Sequence, residues 1–120
     1  MASRPRIIAA AVSLLIYAGI FLMSSLPASS LPTGIPDFIP HGIEYALLGF
    51  FFIQVFAAPR RPAILALAFL LLALLGLLDE WHQLSTPGRV FSLLDVLYDS
   101  LGGAAGMAVF LAIASRKRDT

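Results

Sequence analysis

Four long apolar runs divide the chain, and short polar or proline-rich segments separate them. The runs cover residues 7–26, 41–58, 63–84 and 92–115. Each run is long enough, at about 1.5 Å per residue, to cross a hydrocarbon core of about 30 Å as a helix. The alternating pattern of barrel strands is absent. The sequence therefore predicts an all-α, polytopic membrane protein with four transmembrane helices in one domain, residues 1–120.

Composition agrees with a membrane protein and limits the chemistry. The 120-residue chain is 59% hydrophobic, which is more than a small soluble domain needs. The net charge of +1 predicts no nucleic-acid partner, and the lack of cysteine excludes disulfide and thiolate chemistry. The first apolar run exceeds the 7–15 residues of a signal-peptide core, so we expect it to be a retained span.

Basic residues predict the orientation of the bundle. Arg89 alone falls at one end of the predicted spans, and seven basic residues fall at the other: Arg4, Arg6, Arg60, Arg61, Arg116, Lys117 and Arg118. The positive-inside rule then predicts that both termini are cytoplasmic, in a bacterial cell membrane.

Acidic residues gather at the opposite, outer end: Asp37, Glu44, Asp79, Glu80, Asp95 and Asp99. At the N-termini of spans two and four, Asp37 and Asp95 would be favoured by the helix dipole, and "SLLD" (residues 92–95) matches a capping box. Asp79 and Glu80 instead stand at a C-terminus, where carboxylates are disfavoured. We expect His82, Arg89 or a bound cation to compensate them.

Depth and helical spacing indicate that these acids converge. Glu44, Asp79 and Asp99 each fall about one turn inside the hydrocarbon, where carboxylates are costly unless they share a polar cavity. Asp95 and Asp99 continue along one face as Gly102 and Gly106, a GxxxG motif for close helix approach.

Two other spans show a matching polar face. His41, Glu44 and Tyr45 share one face of span two, and Asp79, His82 and Gln83 share one face of span three. We therefore predict an outward-facing polar pocket whose ligand-binding candidates are His41, Glu44, Tyr45, Asp79, Glu80, Gln83, Arg89, Asp95 and Asp99.

Three blocks of sequence resemble the VanZ-like family over residues 37–106. They are "DFIPHGIEYALLGF", "DEWHQLSTPGRVFSLLD" and "SLGGAAG". The resemblance implies a small four-helix membrane protein, in a family named after a protein linked to teicoplanin resistance. Phe38 stands where the family commonly has lysine, and Asp99 where it commonly has asparagine. These departures favour a cation or a protonated acid in the pocket.

The sequence leaves three functions open, and the first is binding or modifying an amphiphile of the cell envelope, such as a lipid-linked or lipidated ligand or a glycopeptide. Arg89 would hold a phosphate or carboxylate of the ligand. Its alternative role is counter-ion to Asp79, Glu80 or Asp95. Tyr45 and Trp81 would lie at interfacial height, in contact with membrane lipid, and Trp81 also fits a simple belt residue.

The second function is a metal-dependent hydrolase of a lipid phosphate or envelope precursor. The metal-ligand candidates are the pairs His41-x-x-Glu44 and Asp79-x-x-His82, each on one helical face. The catalytic candidates are Glu44, Asp79, His82 and Asp99. The sequence requires no cofactor, and a divalent metal belongs only to this hypothesis.

The third function is non-catalytic. The polar residues would then join the four helices by hydrogen bonds, in a structural or interaction protein. No feature of the sequence indicates an oligomeric state.

Overall fold

The computed structural model describes residues 2–119, which form four helices joined by three loops. Helix α1 spans Arg4–Ser24, α2 spans Phe38–Phe52, α3 spans Pro62–Gln83 and α4 spans Leu93–Asp119. Short 3-10 turns follow α2 (Ile53–Val55) and lie in the first loop (Ala28–Ser30). No strand occurs in the described residues. All four helices, α2 counted with its 3-10 turn, are long and apolar enough to cross a membrane. The predicted all-α fold with four spans is confirmed.

Helices α2 and α4 extend beyond their apolar runs for local reasons. Helix α2 begins at Phe38 and has Pro40 in its first turn. Proline is tolerated there because the first backbone N–H groups of a helix have no intrahelical acceptor. Asp37 occupies the N-cap position of α2, as predicted, but its side chain makes no capping hydrogen bond. Helix α4 continues to Asp119 through a last turn rich in basic residues, which the negative end of the helix dipole favours.

The helices alternate in direction, so the charged residues separate to two ends. We call one end of the bundle the basic end: Arg4, Arg6, Arg60, Arg61, Arg116, Lys117 and Arg118. There Arg6 Nε donates to the carbonyl of Val55 at 2.7 Å, and Arg60 Nη2 donates to that of Leu111 at 2.6 Å. Helix α1 therefore begins, and α4 ends, at the basic end. We call the other end the acidic end: Asp37, Glu44, Asp79, Glu80, Asp95 and Asp99.

Helices α2 and α4 approach each other at their backbones. A Cβ added to Gly102 would lie 2.5 Å from the carbonyl oxygen of Gly42, and one added to Gly106 would overlap the carbonyl oxygen of Ala46. Gly102 and Gly106 are both buried. The predicted GxxxG face thus packs against α2. Because Asp99 lies one turn before Gly102 on that helix, the same contact brings it next to the start of α2.

The surface of the bundle suits contact with membrane lipid. Tyr45, Leu48, Ile53 and Leu72 form a small interior core with almost no exposure. Many other large apolar side chains face outwards, such as Leu14, Leu15, Leu22, Leu70 and Leu101. Side chains of this kind are stable on a surface when the surrounding solvent is hydrocarbon.

A matched pair of glycine substitutions tests the α2–α4 contact. Gly106→Ala should lower the free energy of unfolding by about 1–3 kcal/mol, because the new Cβ meets backbone that can move only by separating the helices. Gly19→Ala on α1 is the control, since a Cβ there meets nothing within 4 Å. Unfolding of the purified protein by titrated denaturing detergent measures both. Equal stability of the two variants would contradict the packing.

Candidate functional site

His41, near the start of α2, is the centre of the acidic end. Its side chain is largely buried, and its Nδ1–H donates to Asp99 Oδ1 at 2.7 Å. On the other side of the ring, Nε2 lies 3.6 Å from Asp95 Oδ2 and 3.9 Å from Glu80 Oε1. One imidazole from α2 therefore contacts carboxylates from both α3 and α4.

Asp99 is accommodated by a glycine on α3. A Cβ at Gly76 would lie 2.9 Å from Asp99 Oδ2, so any larger residue there would displace the carboxylate. Phe38, the other departure from the family pattern, is exposed, and its ring meets that of Tyr98 edge-on with the ring centroids 5.9 Å apart. Of the two departures, only Asp99 enters the cluster around His41.

The start of α4 explains how Glu80 and Asp95 are oriented. The backbone N–H of Asp95 donates to Ser92 Oγ at 3.2 Å, which is one half of the predicted capping box. In the other half, the backbone N–H of Ser92 donates to Glu80 Oε2 of α3 at 3.1 Å, rather than to the Asp95 carboxylate. The Asp95 carboxylate is thereby left to face His41.

The hydrogen bond from the Ser92 backbone also supplies the partner that Glu80 needs. Glu80 stands at the unfavourable C-terminal end of α3, but it lies against the N-terminus of α4, where a carboxylate is stabilised. The compensation expected from His82 or Arg89 is not present. The α4 N-terminus and His41 provide it instead.

Asp79 has a different partner, which sequence reasoning missed. Ser24, the last residue of α1, donates its hydroxyl to Asp79 Oδ1 at 2.5 Å and lies 3.4 Å from the amide nitrogen of Gln83. Thr86 Oγ1 donates to the Ser24 carbonyl at 3.2 Å. The available signal was a serine at the outer end of span one, at the depth of Asp79. Ser24 is thus the hydrogen-bond partner of Asp79, and neither His82 nor Arg89 forms a close ion pair with Asp79 among the described residues.

Arg89 fixes the loops at the acidic end. Its Nη1 donates to the carbonyls of Leu26 at 3.0 Å and Met23 at 3.4 Å, where the negative end of the α1 dipole favours a cation. The preceding Gly88 has a φ of 76°, which favours glycine, and it packs against Ala28 of the first loop. Among the described residues no carboxylate lies within ion-pair distance of Arg89. Arg89 therefore holds the third loop to α1 by hydrogen bonds, and its charge acts on Asp79 and Asp95 only from beyond ion-pair distance.

His82 points away from this cluster. Its ring stacks on Phe21 with centroids 3.8 Å apart, and its Nε2 lies 2.8 Å from Ser25 Oγ. Two residues along a helix turn a side chain to nearly the opposite side, so His82 and Glu80 face different neighbours. Of the predicted metal candidates His41, Glu44, Asp79 and His82, His82 is consequently not brought to His41. The neighbouring Trp81 is 66% exposed on the outer surface.

A cavity of about 470 Å³ opens at the acidic end, between the helix ends and the first and third loops. Its polar lining consists of Asp37, His41, Glu44, Gln83, Arg89 and Asp95, with Ser24 at the end of α1. Its apolar lining includes Met23, Leu31, Pro32, Ile35 and Val90. All four helices contribute to the wall.

The nine predicted ligand-binding residues divide into two layers. Five line the cavity: His41, Glu44, Gln83, Arg89 and Asp95. The other four, Tyr45, Asp79, Glu80 and Asp99, are almost completely buried beneath it. Tyr45 lies in the core of the bundle with no exposure to lipid or to the cavity, because its helix face packs inward.

One group in this site has donors suited to a metal. Among the described residues, ligand atoms of His41, Glu80 and Asp95 all lie within 4.8 Å of one another. Only His41 of this group was among the sequence-predicted metal ligands.

Comparison with known proteins identifies the family. A family model described as VanZ/LLP1 matches residues 9–114, nearly the whole chain. No curated protein and no solved structure matches the chain. With four helices able to span a membrane and this match, the chain belongs to the VanZ-like family of multi-pass membrane proteins.

Proposed function

We propose that this protein binds the polar head of a cell-envelope amphiphile in the cavity at the acidic end. The main support for this proposal is the cavity itself, in which polar side chains from α2, α3 and α4 converge beneath two loops. Its volume of about 470 Å³ falls within the range of about 300–1,000 Å³ of small-molecule sites. That space suits one sugar-sized or amino-acid-sized group, with the remainder of the ligand outside.

The charges of the lining indicate which head group fits. Asp37, Glu44 and Asp95 present three carboxylates to the cavity, whereas the Arg89 guanidinium is already engaged with backbone carbonyls. Three carboxylates against one guanidinium disfavour a phosphate in this cavity. The lining therefore favours a head group that presents donors: ammonium, hydroxyl or amide groups.

The apolar lining indicates an amphiphile. Met23, Leu31, Ile35 and Val90 lie on the cavity wall, and the neighbouring helix surfaces are apolar enough to face lipid. An acyl chain attached to the head group would have a hydrocarbon environment next to the site. Teicoplanin is a lipidated glycopeptide with amino, hydroxyl and amide groups. The family is named after a protein linked to teicoplanin resistance. We therefore take teicoplanin as the probe.

The proposal includes an orientation. The basic end would face the cytoplasm of a bacterial cell, and the acidic end with its cavity would face the outside, where envelope amphiphiles are found. The distribution of basic residues supports this orientation by the positive-inside rule.

Replacing Glu44 tests the binding site. Glu44 lines the cavity without a hydrogen bond or ion pair to another described residue, so Glu44→Gln should leave the fold intact. Loss of a charged hydrogen bond is worth about 1.5–3 kcal/mol, so teicoplanin affinity should fall by about 10- to 100-fold. Calorimetric titration of the protein in lipid nanodiscs measures the affinity.

Two controls make that result specific. His82→Gln alters a polar residue at the same end but outside the cavity, and it should bind teicoplanin as the native protein does. A glycopeptide without the acyl chain should bind more weakly to every variant. The proposal is wrong if the native protein does not bind teicoplanin, or if Glu44→Gln binds it equally well.

Cysteine labelling tests the orientation, because the chain has no cysteine of its own. Ser30 lies exposed in the first loop at the acidic end, and Ala57 lies exposed beyond α2 at the basic end. A membrane-impermeant maleimide should label Ser30→Cys on intact cells and label Ala57→Cys only after permeabilisation. The reverse pattern would place the cavity in the cytoplasm and would exclude the proposed orientation.

A further inference from the structure

We propose that His41, Glu80 and Asp95 bind a divalent transition-metal ion in the wall of the cavity. The ligand atoms are His41 Nε2, Glu80 Oε1 and Asp95 Oδ2, from α2, α3 and α4. This site does not depend on the proposed binding of an amphiphile, and it retains only His41 from the metal ligands that the sequence suggested.

The separations between the ligand atoms suit a metal. His41 Nε2 lies 3.6 Å from Asp95 Oδ2 and 3.9 Å from Glu80 Oε1, and one ligand atom from each of the three residues lies within 4.8 Å of the other two. Ligands at 2.0–2.2 Å from a tetrahedral zinc ion stand about 3.3–3.6 Å apart. Small side-chain rotations towards a cation would close the difference, because the cation removes the repulsion between the two carboxylates.

Glu80 provides an independent indication of a ligand. Its side chain has no exposure, and Oε1 has no hydrogen-bond partner. The other oxygen, Oε2, accepts from the backbone N–H of Ser92, which fixes the carboxylate so that Oε1 faces His41. A buried carboxylate oxygen without a partner is uncommon and costly. A metal ion at this position would satisfy it.

Asp99 holds His41 in the state that a metal requires. Because Nδ1–H donates to Asp99 Oδ1, Nε2 is the nitrogen that faces Glu80 and Asp95, and a metal that displaces its proton would meet its lone pair there. Histidine ligands of metals are usually oriented in this manner by a carboxylate on their other nitrogen. Asp99 is thus a positioning residue rather than a ligand.

The donor set and its exposure indicate the kind of ion. One imidazole with two carboxylates suits Zn²⁺ or Mn²⁺ better than Mg²⁺, which prefers an all-oxygen environment. His41 and Asp95 line the cavity, so an ion can enter from it, whereas Glu80 approaches from beneath. Three protein ligands leave a coordination position open towards the cavity, which a water molecule or a ligand donor atom would fill.

Titration with Zn²⁺ alone tests the site. Chelator-treated protein in detergent should bind one Zn²⁺ per chain in calorimetry, with a rise in the midpoint of thermal unfolding. Asp99→Asn should weaken zinc binding by about 10- to 100-fold, as expected for an orienting partner, and Glu80→Gln should weaken it further. His82→Gln is the matched control, because it removes the only other histidine and should bind as the native protein does.

Several outcomes would overturn the assignment. They are the absence of saturable binding of Zn²⁺ and Mn²⁺ to the native protein, native affinity in Glu80→Gln, and loss of binding in His82→Gln. If Glu80→Gln does not fold, Asp95→Asn replaces it, since the capping bond to Ser92 uses only the Asp95 backbone. Because no envelope amphiphile is added in the zinc titration, its failure leaves the proposed amphiphile binding to be judged by its own experiment.

Discussion

Carboxylates placed within a membrane-spanning bundle must find partners, and the hydrogen bond from His41 to Asp99 is the one around which the acidic end is arranged. A charged group in hydrocarbon costs several kcal/mol unless it meets a partner or a polar cavity. Asp99 is fully buried and meets His41 at 2.7 Å. That contact requires α2 and α4 to touch at their backbones, which Gly102 and Gly106 allow. Small residues deep in the bundle thus make room for the polar residues at its end.

The same arrangement connects the buried layer with the cavity. Glu80 accepts from the first backbone amide before α4, so the Asp95 carboxylate turns to His41 and to the cavity wall. Beneath the cavity wall, the carboxylates of Asp79, Glu80 and Asp99 accept hydrogen bonds from neighbouring parts of the bundle. At the wall, Glu44 forms no hydrogen bond or ion pair with another described residue. A rigid acidic layer under a freer acidic lining is suited to holding a cation or a donor-rich head group, because the charges are oriented before a ligand arrives.

Hydropathy and helical spacing predicted the four spans, the inward GxxxG face and the residues that gather at the acidic end. They could not predict how those residues pair, since this depends on the rotation of each helix and on the paths of the loops. Asp79 and Glu80 are adjacent, yet they point about 100° apart and face different helices. Asp79 meets Ser24 of α1, while Glu80 meets the start of α4. The hydrogen bonds from Arg89 to carbonyls of Met23 and Leu26 were not predicted, because a sequence does not show which backbone carbonyls are available as partners.

The most direct measurement of the central claim is a double-mutant cycle between His41→Gln and Asp99→Asn. Free energies of unfolding would be measured in detergent with a chelator present. We predict a coupling energy of about 1.5–3 kcal/mol, as expected for a hydrogen bond to a charged group. The same cycle between His82→Gln and Asp99→Asn should give none. A coupling near zero for His41 and Asp99 would show that they do not meet, and the arrangement of the acidic end would be wrong.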